Sequence, residues 1–321
     1  MGGSSYDRPV YGSRSSSNFG SGMASTVSNT IFKSEELHKD LDPKRNIVCS
    51  AKHPIVLMLD VTGSNINFAK VFYDKAPMLH GQIEQQGYLP KDEFELSFSA
   101  VGDAYCDSAP LQISDFAYGI ENEKWIEKLY LEGSGGGQQT ETYELAAEYF
   151  NEKCKLTHKD VFPFFFFLAD ESPYSYLTNR ISSSILNITL NNEIPSKTIF
   201  TKLMKKFKNN VFVLLNKYQG FDFEESIIRS WKAMLPSQNI ILLKEEKSVI
   251  DIILGIIAMA YNSRDMSSYI DDMKNRKQTN ERIENVSNSL GEFCRSLVPS
   301  VPINKLPEQS NISRKSSIRK L

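Results

Sequence analysis

Cysteine is scarce in this 321-residue sequence: Cys49, Cys106, Cys154 and Cys294 stand far apart and form no C-x-x-C pair. That argues against a zinc ribbon or a disulfide scaffold and makes a reduced, intracellular setting the simpler expectation. Histidine is as sparse. His38, His53, His80 and His158 share no recognisable spacing, and no G-x-S-x-G elbow is present, so nucleophilic catalysis finds no support. No G-x-x-x-x-G-K-[ST] occurs either, which removes the phosphate-loop reading of Gly135 to Gly137. An excess of one charge is missing as well: 37 basic against 39 acidic side chains and a pI near 6.2 give no general attraction to nucleic acid or acidic membranes.

A long hydrophobic run is also lacking. The most apolar stretch, 249-VIDIILGIIAMAY-261, carries Asp251 and falls short of the ~20 residues a membrane span requires, so it reads as a core helix. The opening MGGSSYDRPVYGS lacks the basic-then-apolar order of a secretory signal, and Tyr6 stands where myristoylation asks for Ser or Thr. A cytoplasmic protein is the expectation, and the sequons at Asn187, Asn285 and Asn311 are then coincidental.

What is present is a chain with 40% hydrophobic residues, enough for one core of ordinary size. Residues 1–29 form a Ser/Gly-rich tail expected to be disordered, and residues 299–321 a basic, Pro/Ser-rich tail of the same kind. Between them, 54-PIVLML-59 shows no polar alternation and should be covered on both faces, as in a parallel sheet. Ala69, Phe72, Ala76, Leu79 and Ile83 then mark a helix face with a kink expected at Pro77. Further strands are expected at 94–101, 111–116, 161–169, 211–215 and 239–243, with 111–116 returning antiparallel as a hairpin. Helices fall around Trp125, Tyr143 to Phe150, Lys202 to Lys208, Phe223 to Leu235 and 248–261. The order predicts an α/β fold: a doubly wound, Rossmann-like, mostly parallel six-stranded sheet with one antiparallel edge strand and helices on both faces. Residues 45–262 would form this domain, and residues 263–298 a helical extension packing outside it through Ile283, Val286, Leu290 and Phe293.

In such sheets, loops leaving the carboxyl ends of the strands converge. One is Asp60-Val61-Thr62-Gly63-Ser64; a second, 133-GSGGGQQTET-142, brings Thr140 to a helix entry; a third, 167-FLADES-172, brings Asp170. These two carboxylates and three hydroxyls are hard oxygen donors suited to Mg²⁺ or Mn²⁺ and not to zinc. A carboxylate from a partner would complete charge and geometry.

The D-x-T-x-S set, a threonine after a glycine-rich loop, and an aspartate ending the fourth parallel run together resemble the metal-ion-dependent adhesion site (MIDAS) of von Willebrand factor type A (VWA) domains. The resemblance covers roughly residues 45 to 262. It implies a doubly wound sheet and a Mg²⁺ shared with a partner. It further implies that Thr62 and Ser64 are direct ligands, that Asp60 and Asp170 hold coordinated water, and that Thr140 is the second-loop ligand. Thr142 stays open as a substitute, because Thr140-Glu141-Thr142 aligns either way. Two positions depart from the family pattern. Thr62 stands where many members have Ser, although the D-x-T-x-S-N form completed by Asn65 is similar to that of intracellular copine-like members. Glu171 follows Asp170 where Gly is usual, adding a side chain and charge beside the metal.

Asp103 and Asp107, on the turn after the second strand, are candidates with Glu171 for a partner-binding rim, although a solvated hairpin turn explains the two aspartates more simply. The expected function is an intracellular scaffold or adaptor, not an enzyme, that captures an Asp or Glu of a protein partner. One alternative is Mg²⁺-dependent phosphoryl transfer with Asp60 as nucleophile, which commonly wants a second acid where Thr62 stands. Another is a structural assembly protein with a vestigial metal site. Asp60, Ser64 and Thr140 could instead be plain helix caps.

Overall fold

The computed structural model describes residues 37–131, 140–218 and 223–297. The first of these segments forms β1 (Ile47–Cys49), β2 (His53–Asp60), α1 (Ile66–Gln86), β3 (Phe94–Val101), β4 (Leu111–Gln112) and α2 (Glu121–Lys128). After it come β5 (Thr140–Glu141), α3 (Tyr143–Glu152), β6 (Cys154–Leu156), β7 (Phe164–Ala169), β8 (Ser172–Pro173), β9 (Tyr176–Leu177), a single turn α4 (Asn179–Ile181), β10 (Ile194–Pro195) and α5 (Ser196–Lys206). The chain continues through β11 (Val211–Leu215), α6 (Glu225–Met234), β12 (Ile240–Leu242), α7 (Val249–Ala260), α8 (Met266–Asn275) and α9 (Asn280–Ser296). Both expected tails and the glycines of 133–137 lie outside the described residues.

The four consecutive phenylalanines of β7 show why the sheet has to be covered twice. Successive strand residues point to opposite faces, so Phe164 and Phe166 enter one core with Phe212, α1, α7 and α9, while Phe165 and Phe167 enter the other with Phe150, Phe200 and Trp231. All eight residues of β2 and all six of β7 are buried. The result is the expected six-stranded sheet, in the order β12-β11-β7-β2-β3-β4, parallel throughout except for β4 at the edge.

Several details differ from the sequence expectation. The strand at 161–169 begins only at Phe164, because Pro163 has no N–H to give a ladder. Helix α1 spans Ile66 to Gln86 with Pro77 inside it, as the kink expectation required of a single helix, and stops at Gly87, whose φ of 62° suits a left-handed C-cap. The Lys206 ammonium, at the end of α5, donates to the carbonyls of Phe150, Asn151 and Cys154 at 2.5–2.9 Å. Helix α9 lies on α7 and also reaches the sheet, where Phe293 meets Phe212 edge-on at 5.4 Å. Gly255 of α7 permits this close approach: a Cβ there would lie 2.8 Å from both Leu290 and Tyr269.

Strand order reverses between β2 and β7. That switch point is where ligands bind in open α/β sheets, and the ends of β2 and β7 deliver Asp60 and Asp170 there.

Candidate metal centre

The first loop is held by its own polar groups. Asp60, the last residue of β2, is fully buried; its Oδ1 accepts from the Thr62 amide at 3.0 Å and the Thr62 hydroxyl at 2.6 Å, and its Oδ2 accepts from the Tyr143 hydroxyl. The Thr62 and Ser64 hydroxyls stand 3.4 Å apart. Asn65 ties this loop to the third, donating to the carbonyls of Asp60 and Leu168 at 3.3 Å each, while Asn216 donates to Asn65 Oδ1 at 3.4 Å. Asn65 is the N-cap of α1 and makes no side-chain cap bond, so neither Asp60 nor Ser64 serves as the cap.

The second and third loops are joined by a short parallel ladder, Thr140 opposite Ser172 and Glu141 opposite Pro173. Thr142 is the N-cap of α3, also without a side-chain cap bond. Its hydroxyl donates to the Gly102 carbonyl at 2.6 Å and accepts from the Ala104 amide at 3.3 Å. Thr142 is thus committed to the loop after β3. In the third loop, Trp231 Nε1 donates to the Glu171 carbonyl at 2.8 Å and fixes that backbone.

Six buried oxygens in this cluster make no hydrogen bond of normal geometry, although Glu141 lies close to Glu171, Thr140 to Tyr174 and Asp170 to Asp60 and Ser64: Thr140 Oγ1, both oxygens of Glu141, both of Asp170, and Glu171 Oε2. Burying unpaired carboxylates is costly, and their protonation equilibria show it. Burial, then the charges of Asp60 and Glu171, push Asp170 up to about 9. Burial and then Asp60 raise Glu171 to about 7, and burial with Asp60 and Glu171 takes Glu141 up to about 12. The Ser64 hydroxyl lies close enough to Asp170 and Glu171 to oppose this, although neither Asp170 oxygen has a hydrogen bond of normal geometry. Asp60 is raised by burial against the lowering effect of Thr62 and Tyr143.

Such a set fits a hard cation, which would supply the positive charge these oxygens lack. Among the described residues, no three Asp, Glu, His or Cys side chains are yet grouped to hold one. Were a cation held here, the hydroxyls of Thr62 and Ser64 would have to supply donors beside the carboxylates.

The rim candidates are placed differently from one another. Asp103 is 4% exposed and accepts from the Tyr105 amide and the Tyr174 hydroxyl, at 3.0 and 3.1 Å. Asp107 takes the Asp103 amide at 2.6 Å, closing its own turn, while Glu171, 3% exposed, faces inward. Tyr143 and Glu141 were not singled out in the sequence. Tyr143 looked like one more apolar position of its helix, and Glu141 sat between the two threonines under comparison.

Fold and loops together define a doubly wound, Rossmann-like α/β protein with an oxygen-rich cluster at its switch point. No protein-family model and no curated protein sequence matches the chain. Among solved structures it is similar to proximal thread matrix protein 1 from the mussel byssus, with a TM-score of 0.43 and 12% identity over 65% of this chain and 49% of that one. A form of the same protein with a zinc-occupied MIDAS motif scores 0.42 at 10% identity, over 65% of this chain and 49% of that one. The pilus adhesin SpaC from Lactobacillus rhamnosus GG scores 0.45 at 10% identity, over 67% of this chain and 31% of that one. The chain thus spans about half of the length of the first and a third of the last.

Proposed function

We propose that this chain is a protein-binding module dependent on a hard divalent cation, which it holds at the switch point and through which it captures an acidic side chain of a protein partner. The group of buried oxygens on Thr140, Glu141, Asp170 and Glu171 that make no hydrogen bond of normal geometry carries this reading. Beside them, the hydroxyls of Thr62 and Ser64 supply neutral donors, which taken alone suit Mg²⁺ or Mn²⁺. Asp60 orients the Thr62 hydroxyl, and Tyr143 holds Asp60. Gly63, Ser64 and Thr140 are only partly buried, so the cluster has an open side for an incoming carboxylate.

A binding role is favoured over phosphoryl transfer because Asp60 is fully buried and both of its oxygens already accept hydrogen bonds. A reducing, cytoplasmic setting for an adaptor belongs to the same reading, in which Cys49 and Cys106 give their thiols to Glu95 and Asp103. The test is affinity capture from native extract with the full chain, in divalent cation against EDTA, beside Ser64→Ala. Partners should be retained with cation and lost both with EDTA and with the variant. Full, EDTA-insensitive capture by Ser64→Ala would end the metal-bridged reading.

A further inference from the structure

We infer that the surface formed by Tyr105, Tyr174 and Arg180 beside the switch point docks an acidic segment of a protein partner, with the Arg180 guanidinium taking one of its carboxylates. The inference extends the capture site proposed above and rests on that reading only for where a further acid of the segment goes.

Exposure marks the surface. Among the described residues, four large hydrophobic side chains stand open to solvent, and two of them, Tyr105 at 43% and Tyr176 at 52%, neighbour Tyr174, one across a ring contact and one along the chain. The Tyr105 ring, in the turn after β3, lies 4.9 Å from the Tyr174 ring by centroids. Arg180 of α4 sets its guanidinium 6.0 Å from the Tyr105 centroid, within cation–π reach. The Tyr174 side chain also lies close to that of Thr140, so this surface runs on into the second loop of the cluster.

The platform is fixed from beneath. Asp103 accepts from the Tyr105 amide at 3.0 Å and from the Tyr174 hydroxyl at 3.1 Å, and so holds both rings. The Asp103 amide in turn gives to Asp107 Oδ2 at 2.6 Å, and the Thr142 hydroxyl gives to the Gly102 carbonyl at the same distance. Rings held in this way lose little freedom on binding, and Tyr and Arg are the residues that most often dominate an interface.

Charge names the partner. Arg180 is exposed, and the contact its guanidinium makes among the described residues is with the Tyr105 ring. The carboxylates nearby are engaged in the turn itself, Asp103 with the Tyr105 amide, the Cys106 thiol and the Tyr174 hydroxyl, and Asp107 with the Asp103 amide. A guanidinium keeps its charge at any physiological pH, and its planar fork accommodates a carboxylate through two parallel hydrogen bonds while its face rests on an aromatic ring. A basic segment would be repelled here, and an apolar one would cover the charge without pairing it. An acidic one pairs it.

The experiment selects peptides from a phage-displayed random dodecapeptide library on the immobilised full chain in Mg²⁺, with Arg180→Glu taken through the same selection. Fluorescence anisotropy then measures the selected peptides on wild type, Arg180→Glu, Arg180→Lys and Tyr105→Ala, with and without EDTA, after circular dichroism has confirmed that each is folded. Wild type should enrich peptides with at least two acidic residues, and Arg180→Glu should replace one of these by Lys or Arg. Peptides selected on wild type should bind Arg180→Glu at least ~10-fold more weakly and Tyr105→Ala about fivefold more weakly, with Arg180→Lys between wild type and Arg180→Glu. Enrichment of no peptide, enrichment without acidic preference, or equal binding to Arg180→Glu would overturn the inference. Binding that requires cation but ignores Arg180 and Tyr105 would remove this inference and leave the capture site; binding that survives EDTA yet falls in Arg180→Glu would remove the cation and leave the docking surface. Sedimentation velocity tests the other occupant: a wild-type dimer that Arg180→Glu dissociates would make this face a contact between two copies of the chain and would also overturn the inference.

Discussion

Asp170 lies fully buried with neither carboxylate oxygen in a hydrogen bond of normal geometry, so its charge works against folding whenever no cation offsets it. Asp170→Asn should therefore raise stability in EDTA by ~1–3 kcal/mol while abolishing the gain on adding cation. Thermal unfolding with and without cation reads both, and a variant less stable in EDTA would mean that the carboxylate is satisfied some other way. Two histidines report on a different part of the protein. Burial holds His53 and His80 neutral, each with its pKa lowered from 6.5 to about 4. For His53, the Nδ1–H donated to the Phe162 carbonyl and the Glu93 charge pull the other way while Lys52 adds to the lowering; for His80, Glu84 and Asp92 oppose the effect of burial. With the folded pKa below the unfolded one, their contribution is complete above pH 6.5 and is lost as pH falls toward 4, on the order of 3 kcal/mol for each imidazole. His53→Phe and His80→Phe should each flatten the decline of denaturation free energy over that window; an unchanged slope would place the titration elsewhere. At this scale Asp60, Thr62, Ser64 and Asp170 were legible in the sequence, because an unbroken apolar strand ending in oxygen donors is a local pattern. Tyr143 was not, because its role is a bond to Asp60 across 83 positions of chain.

Among the elements, α7 carries the one charge in its apolar run, Asp251, at 0% exposure, and two later helical segments meet it. Arg276, just past α8, donates to Asp251 Oδ1 at 2.8 Å, and Arg282 of α9 reaches Oδ2 at 3.5 Å while also pairing with Glu245 at 2.7 Å. The lock is buried, so removing one partner leaves a charge stranded. Arg276→Met should cost roughly 3–5 kcal/mol in denaturant unfolding, whereas Lys124→Ala, which breaks an exposed pair with Glu121, should change stability by less than ~0.5 kcal/mol. A small effect at Arg276 would mean that Arg282 alone neutralises Asp251. This arrangement explains why the last helices were harder to read than the sheet. Apolar runs such as 211–215 announce themselves and match β11 residue for residue, but α9 looks polar, and its attachment depends on Gly255 and on ion pairs that no periodicity reveals. The two-residue ladders β5–β8 and β9–β10 were invisible for a related reason, since segments so short carry no period.

Over the whole molecule, the switch point joins both cores. Asp60 ends a strand shared by the two helical layers, Tyr143 anchors it from α3, Trp231 fixes Glu171 from α6, and Asn65 opens α1 while bonding across to β7. A cation bound here is therefore tied to elements on both faces of the sheet, and its binding free energy should appear in global unfolding and not in a local loop. A ligand specific to the native state stabilises by RT ln(1 + [L]/Kd), about 2.7 kcal/mol at a hundredfold excess over Kd. For a domain of this size that corresponds to a rise in Tm of roughly 5–10 °C. Differential scanning calorimetry in EDTA, Mg²⁺ and Ca²⁺ should show a single transition moving upward with cation, by less in Ser64→Ala, which removes a hydroxyl donor without touching either core. A second transition appearing with cation, or a shift equal in Ser64→Ala and wild type, would place the bound ion away from the ends of β2 and β7.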